Sequence, residues 1–223
     1  MRPPHRDGIQ EESSVKDAYN AIAGTSSERL AALSDGVFAV AMTLLVLDIH
    51  VPGVEAIHSE WELWRAVVAL GPRLMMYVMT FLTLGIFWVG QQTQLNHLAR
   101  SNRSLTWIHL WFLSAVSITP FSTTLLAQFT AYRGALLIYW ANILALGATL
   151  YFSWVCALRS GAVKADLPPS VSRAIKRRIL VAQALYAFGA LLCVVNTYWG
   201  IGFIVLVQLN YALAPHLPGR GGE

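Results

Sequence analysis

Charged residues are scarce in this sequence: Asp, Glu, Lys and Arg together make up 13% of its 223 residues, where a soluble domain carries about 25%. So little charge cannot coat a water-soluble particle of this size. Hydrophobic residues reach 56% and the mean hydropathy is +0.51, so the imbalance points to lipid contact. Cysteine is nearly absent as well. Cys156 and Cys193 both sit inside apolar runs, with no Cys or His at ligand spacing, which argues against a zinc site or a disulfide framework. The chain has no phosphate-binding loop, no dinucleotide fingerprint, no His-Glu-x-x-His and no Gly-x-Ser-x-Gly elbow. Neither an enzyme nor a resident cofactor or metal is expected. Residues 1–28 are polar with charges of both signs, so no cleavable signal peptide is expected.

Long apolar runs are what the chain has instead. Six can be drawn, at 30–50, 66–90, 105–129, 135–158, 179–195 and 198–214. Most reach the roughly 20 residues that cross a bilayer; the last two are shorter and are joined only by Asn196 and Thr197. Basic residues fall almost wholly on alternate loops. Arg2, Arg6, Lys16 and Arg29 precede the first run; Arg100 and Arg103 follow the second; Arg159, Lys164, Arg173, Lys176, Arg177 and Arg178 follow the fourth; Arg220 lies in the tail. The opposite loops hold only Arg65 and Arg133, and Arg73 lies within the second run. By the positive-inside rule both termini are cytoplasmic, which agrees with an even number of spans. The expected fold is therefore an all-α membrane protein of six transmembrane helices. Residues 1–24 and 215–223 read as polar cytoplasmic tails around a domain at 25–214. The stretch 173–178 reads as an anchor to anionic head groups rather than a nucleic-acid site.

The first run carries the most chemistry. Thr25 with Glu28 fits a capping box. Ser34 and Asp35 then lie inside the helix, where an ionisable group is costly unless paired. Taking Asp35 as zero at about 100° per residue, Gly36, Val40, Thr43 and Leu47 cluster between about 80° and 140°. Ser34, at about −100°, lies away from them. One face can therefore meet a pore or bundle axis while the other ties to neighbouring helices. Arg29 falls with the first group.

The segment Arg29-Leu-Ala-Ala-Leu-Ser34-Asp35 resembles the first-helix signature of the prokaryotic relatives of the lysosomal potassium channel transmembrane protein 175, Arg, three residues, then Phe-Ser-Asp, with Leu33 in place of the Phe. The run 36–52, Ile86-Phe87-Trp88 and Pro120-Phe121 are similar to that family too. The resemblance implies a homotetramer with helix one lining a central pore. It also implies a potassium-selective, voltage-independent leak through a constriction of apolar and Thr rings, which in this chain are Val40, Thr43 and Leu47. No Thr-Val-Gly-Tyr-Gly carbonyl filter and no Arg-rich voltage sensor is present. The implied partners are potassium ions, passing transiently near Thr43, and the lipid of a bacterial inner membrane. Nucleic acid is not among them.

The family holds its Ser and Asp with a His on helix two and an Asn on helix three. The corresponding positions here carry Gln91, near Trp88, and His109. The expected lock is therefore Arg29, Ser34, Asp35, Trp88, Gln91 and His109, with His109 beside Asp35 as a possible pH sensor. Two other readings stand beside the potassium channel. One is a proton-permeable channel and the other a small-solute secondary transporter; the chain shows no inverted repeat of broken helices to favour the latter.

Overall fold

The computed structural model describes residues 27–50, 53 and 57–213. Both expected tails, Thr25 of the capping box and most of the link after the first helix lie outside these residues. The described chain is helical throughout, with a single isolated bridge between Leu98 and Val163. In order it forms α1 (Ser27–Leu44), a 3-10 turn (Leu45–Asp48), α2 (Glu60–Ala69), α3 (Gly71–Asn96), α4 (Arg103–Gln128), α5 (Arg133–Arg159), α6 (Pro169–Leu192) and α7 (Thr197–Leu213).

Among the described residues, four stretches are long and apolar enough to cross a membrane: Ser27–Asp48, Glu60–Asn96, Arg103–Gln128 and Arg133–Arg159. The second is two helices, a division absent from the sequence reading. Gly71 and Pro72 open a new helix there, because proline tolerates only the first turn. The preceding α2 is capped by Ser59, whose Oγ accepts from Glu62 N at 3.2 Å, while Glu62 Oε2 accepts from His58 N at 2.7 Å. α2 buries no side chain within the subunit. The first run also ends differently from expectation: regular helix stops at Leu44 and tightens into the 3-10 turn.

α6 is longer than its apolar part, starting at Pro169 and carrying the basic stretch in its first half. α7 spans 17 residues. The two are joined over Cys193–Asn196, with Thr197 already helical and Asn196 Oδ1 accepting from Tyr198 N at 2.8 Å as an N-cap. They pack very closely where a Cβ on Gly200 would stand 2.8 Å from the Gly189 carbonyl oxygen. Small residues allow such backbone approach between membrane helices.

The end of the bundle holding the start of α1 is closed by a small apolar cluster of Leu30, Leu95, Leu98, Leu105, Ala157 and Ala162. Above it the links after α3 and α5 are stitched together: Ala99 N donates to Ala162 O at 2.8 Å, and Lys164 N to His97 O at 3.0 Å. The basic loops at 100–103 and 159–164 are thus brought to one end of the molecule. The main core, with Phe38, Leu84, Phe112, Val116, Leu146 and Ile204, fills the middle.

Candidate ion pathway

α1 divides along its length as 3.6-residue periodicity requires. Leu30, Ser34, Phe38, Ala41 and Leu45 are buried against the bundle. Phe38 meets Phe112 of α4 at a ring separation of 5.9 Å. On the outward half, Ala32, Leu33, Gly36, Val40 and Thr43 are all exposed, Val40 at 58%, and Leu47 of the following 3-10 turn continues the same side at 69%. A Cβ added to Gly36 would meet nothing within 4 Å. An open hollow of about 440 Å³ runs along this half, from Ala32 past Gly36 and Val40 to Leu44, and reaches Ser117 on α4. The four residues expected at a pore therefore share one uncovered face. Thr43 Oγ1 donates to its own helix at Val40 O, 2.8 Å away. Its proton is used there, so its lone pairs remain the only chemistry it offers outward.

The polar residues at the back of α1 separate into two groups. Ser34 is fully buried; its Oγ donates to Leu30 O at 2.8 Å and accepts from Gln91 Nε2 at 2.9 Å. The same Gln91 nitrogen lies 3.4 Å from His109 Nδ1, and His109 Nε2 lies 3.0 Å from Ser153 Oγ on α5. An amide nitrogen can only donate, so Nδ1 accepts and Nε2–H is left to donate to Ser153. Asp35 stands apart from this chain. Its Oδ1 accepts from Trp88 Nε1 at 2.8 Å and from Gln92 Nε2 at 2.7 Å. His109 is therefore not the partner of Asp35. The reason is rotational: Ser34 and Asp35 are about 100° apart on α1, so one points into the bundle and the other along its flank.

Gln92 and Ser153 are the members that sequence reasoning missed. Gln92 had a signal, since it lies one turn beyond Trp88 on the same face of α3. Ser153, a lone hydroxyl in an apolar helix, had none. Arg29 lies exposed in the first turn of α1, on the outward half. Asn102 caps α4 by accepting from Leu105 N at 2.9 Å.

A second polar layer, also unforeseen, lies towards the other end. Thr80 pairs with Thr123 at 3.0 Å, and Thr83 with Tyr139 at 3.2 Å. Gln208 of α7 donates to Thr83, and Asn142 to Thr119 at 2.9 Å. Between the layers stand Leu84, Phe87, Phe112, Val116, Leu146 and Leu150, all buried. The interior of the helix bundle is thus interrupted by an apolar plug, and no continuous polar track runs through it among the described residues.

The family model for the endosomal/lysosomal potassium channel TMEM175 matches residues 29–120, the segment from Arg29 to the middle of α4 that holds most of these residues. A protein of Streptomyces collinus named as a potassium channel is 33% identical over 167 residues, covering 73% of this chain and 78% of that protein. The chain belongs to the TMEM175 family. Another member, a potassium channel of Chamaesiphon minutus, is 28% identical over 191 residues, or 83% of this chain and 93% of that one. The crystal structure of a lysosomal potassium-selective channel TMEM175 homologue from Chamaesiphon minutus superposes with a TM-score of 0.74 at 25% identity, covering 84% of this chain and 97% of that chain. The human family member, named an endosomal/lysosomal proton channel, is 33% identical over 100 residues, 20% of its length. These TMEM175 relatives are channels, not enzymes.

Proposed function

We propose that this chain forms a potassium-permeable cation channel, a homotetramer whose four α1 helices line a central pore. The observation that carries this is the divided α1. Its back is fixed by apolar packing and by hydrogen bonds at Ser34 and Asp35, while Gly36, Val40, Thr43 and Leu47 face away from the subunit with nothing of the subunit upon them. Four such faces turned towards one axis would stack an apolar ring of Val40, a hydroxyl ring of Thr43 and an apolar ring of Leu47. Apolar rings control conduction through wetting. Thr oxygens stand in for part of the hydration shell, and potassium surrenders that water more readily than sodium. Flux is a leak without voltage dependence, as the resemblance of the first helix to its family implies.

In this reading all six main helices span a bacterial inner membrane with both termini in the cytoplasm. The stitched basic loops mark the cytoplasmic end, and α6 with α7 crosses as a tight hairpin. Arg29, Ser34, Asp35, Trp88, Gln91 and His109 act together to hold the angle of α1. The deciding experiment is flux from liposomes under potassium, sodium, caesium or proton gradients. Potassium flux with a reversal potential that follows the gradient is expected; none from a folded tetramer overturns the proposal. Proton permeation is the second reading, favoured by the human relative, which is named a proton channel, and a proton-selective reversal potential would establish it instead.

A further inference from the structure

At the end of the bundle with the basic loops, α3, α5 and α6 leave a cleft of about 220 Å³ lined by Gly90 and Gln94 of α3, Leu150 of α5, and Ala174, Ile175 and Arg178 of α6. Its walls are apolar and its polar groups are few. Gln94 is 2% exposed; its Nε2 donates to Leu150 O at 3.2 Å, but its Oε1 is buried with no partner. Arg178 stands at the mouth, its guanidinium 5.8 Å from the Tyr211 ring centroid. Arg173, Lys176 and Arg177 precede it along α6, and α3, α5 and α6 contain no Asp or Glu at all. Cationic charge at the mouth of an apolar cleft, with no acid on any of the helices forming it, selects an amphiphilic anion.

We propose that this cleft binds an anionic glycerophospholipid of the phosphatidylglycerol type. Its phosphate sits at Arg178, and an acyl chain lies along Leu150 and Ile175. A choline head cancels the phosphate charge and supplies no net negative charge. The leaflet follows from the topology above: Gln94 lies within the last turn of α3, beside the basic loops, at head-group depth on the cytoplasmic side.

The test is native mass spectrometry of the full-length, delipidated protein titrated with phosphatidylglycerol, phosphatidylcholine or soluble glycerol 3-phosphate. One phosphatidylglycerol per subunit is expected, bound about tenfold more tightly than phosphatidylcholine, the scale of one charged hydrogen bond. Arg178→Gln should lose that preference and Arg178→Lys keep much of it. Ala174→Trp, an exposed position whose ring would fill the cleft, should lose the lipid while melting at the wild-type temperature. Arg173→Gln, outside the cleft, should retain it. Equal binding of the two lipids, or full retention by Arg178→Gln and Ala174→Trp, overturns the site. Displacement of the lipid by glycerol 3-phosphate alone overturns the amphiphile reading and leaves a bare anion site.

Discussion

At Thr43 a single atom decides the role. The hydroxyl proton is committed to Val40 O, so only the oxygen lone pairs can face a passing cation. Thr43→Ser keeps both features and should retain potassium-over-sodium selectivity. Thr43→Val keeps the shape but removes the oxygen, and selectivity measured from reversal potentials should fall while assembly persists. Unchanged selectivity in Thr43→Val would remove this residue from the filter. Gln91 poses the opposite case, a polar group whose work is internal. Gln91→Leu takes the donor from Ser34 and strands His109 Nδ1 in the core, a loss of about 1–3 kcal/mol. Unfolding in detergent should report it as a lowered midpoint. The division of α1 into these two faces was legible in the sequence, because a 3.6-residue period sorts side chains by angle regardless of their neighbours. The pairing was not. Whether Asp35 meets His109 or Trp88 and Gln92 depends on interhelical register and rotamers, which no spacing within one helix encodes.

The helices differ in how much of themselves they reveal. α3, α4 and α5 were readable as long apolar runs, and their ends shifted only by a few residues. α2 was not, because Trp61, Trp64, Val67 and Val68 merge by composition into the run that follows, and only the Gly71-Pro72 pair separates them. The second polar layer was invisible for a related reason. Thr80, Thr83, Tyr139 and Gln208 are isolated polar groups in four different stretches of sequence, and only their packing brings them together. The hairpin of α6 and α7 yields a prediction of its own. A methyl at Gly200 would stand 2.8 Å from a backbone oxygen and 2.9 Å from Leu136 Cδ2, and a backbone cannot yield as a side chain can. Gly200→Ala should therefore destabilise the fold by about 1–3 kcal/mol, the usual cost of overpacking. Gly202→Ala, where nothing lies within 4 Å, should leave the melting temperature alone. Equal melting temperatures for the two variants would refute the close helix approach.

For the whole molecule the question is what covers the outward half of α1. Lipid and three further copies of α1 are the alternatives, and they make different demands on Gly36. Within one subunit a Cβ at Gly36 meets nothing within 4 Å and opens onto the hollow, so Gly36→Leu should fold with the wild-type circular dichroism and melting temperature. If four α1 helices converge on an axis, that same side chain enters the narrow space between them, and the tetramer seen by native mass spectrometry should weaken or its flux should collapse. Lipid would accommodate the leucine with neither effect. A cysteine at Leu47, 69% exposed at the end of the same face, supplies an independent measure. Around an axis, Leu47→Cys should cross-link subunits under mild oxidation, whereas the parent chain should not, because Cys193 is buried and Cys156 is half-buried. A leucine at Gly36 without effect on assembly or flux, together with no cross-linking at Leu47, would place α1 against lipid and move the pore to another face of the bundle.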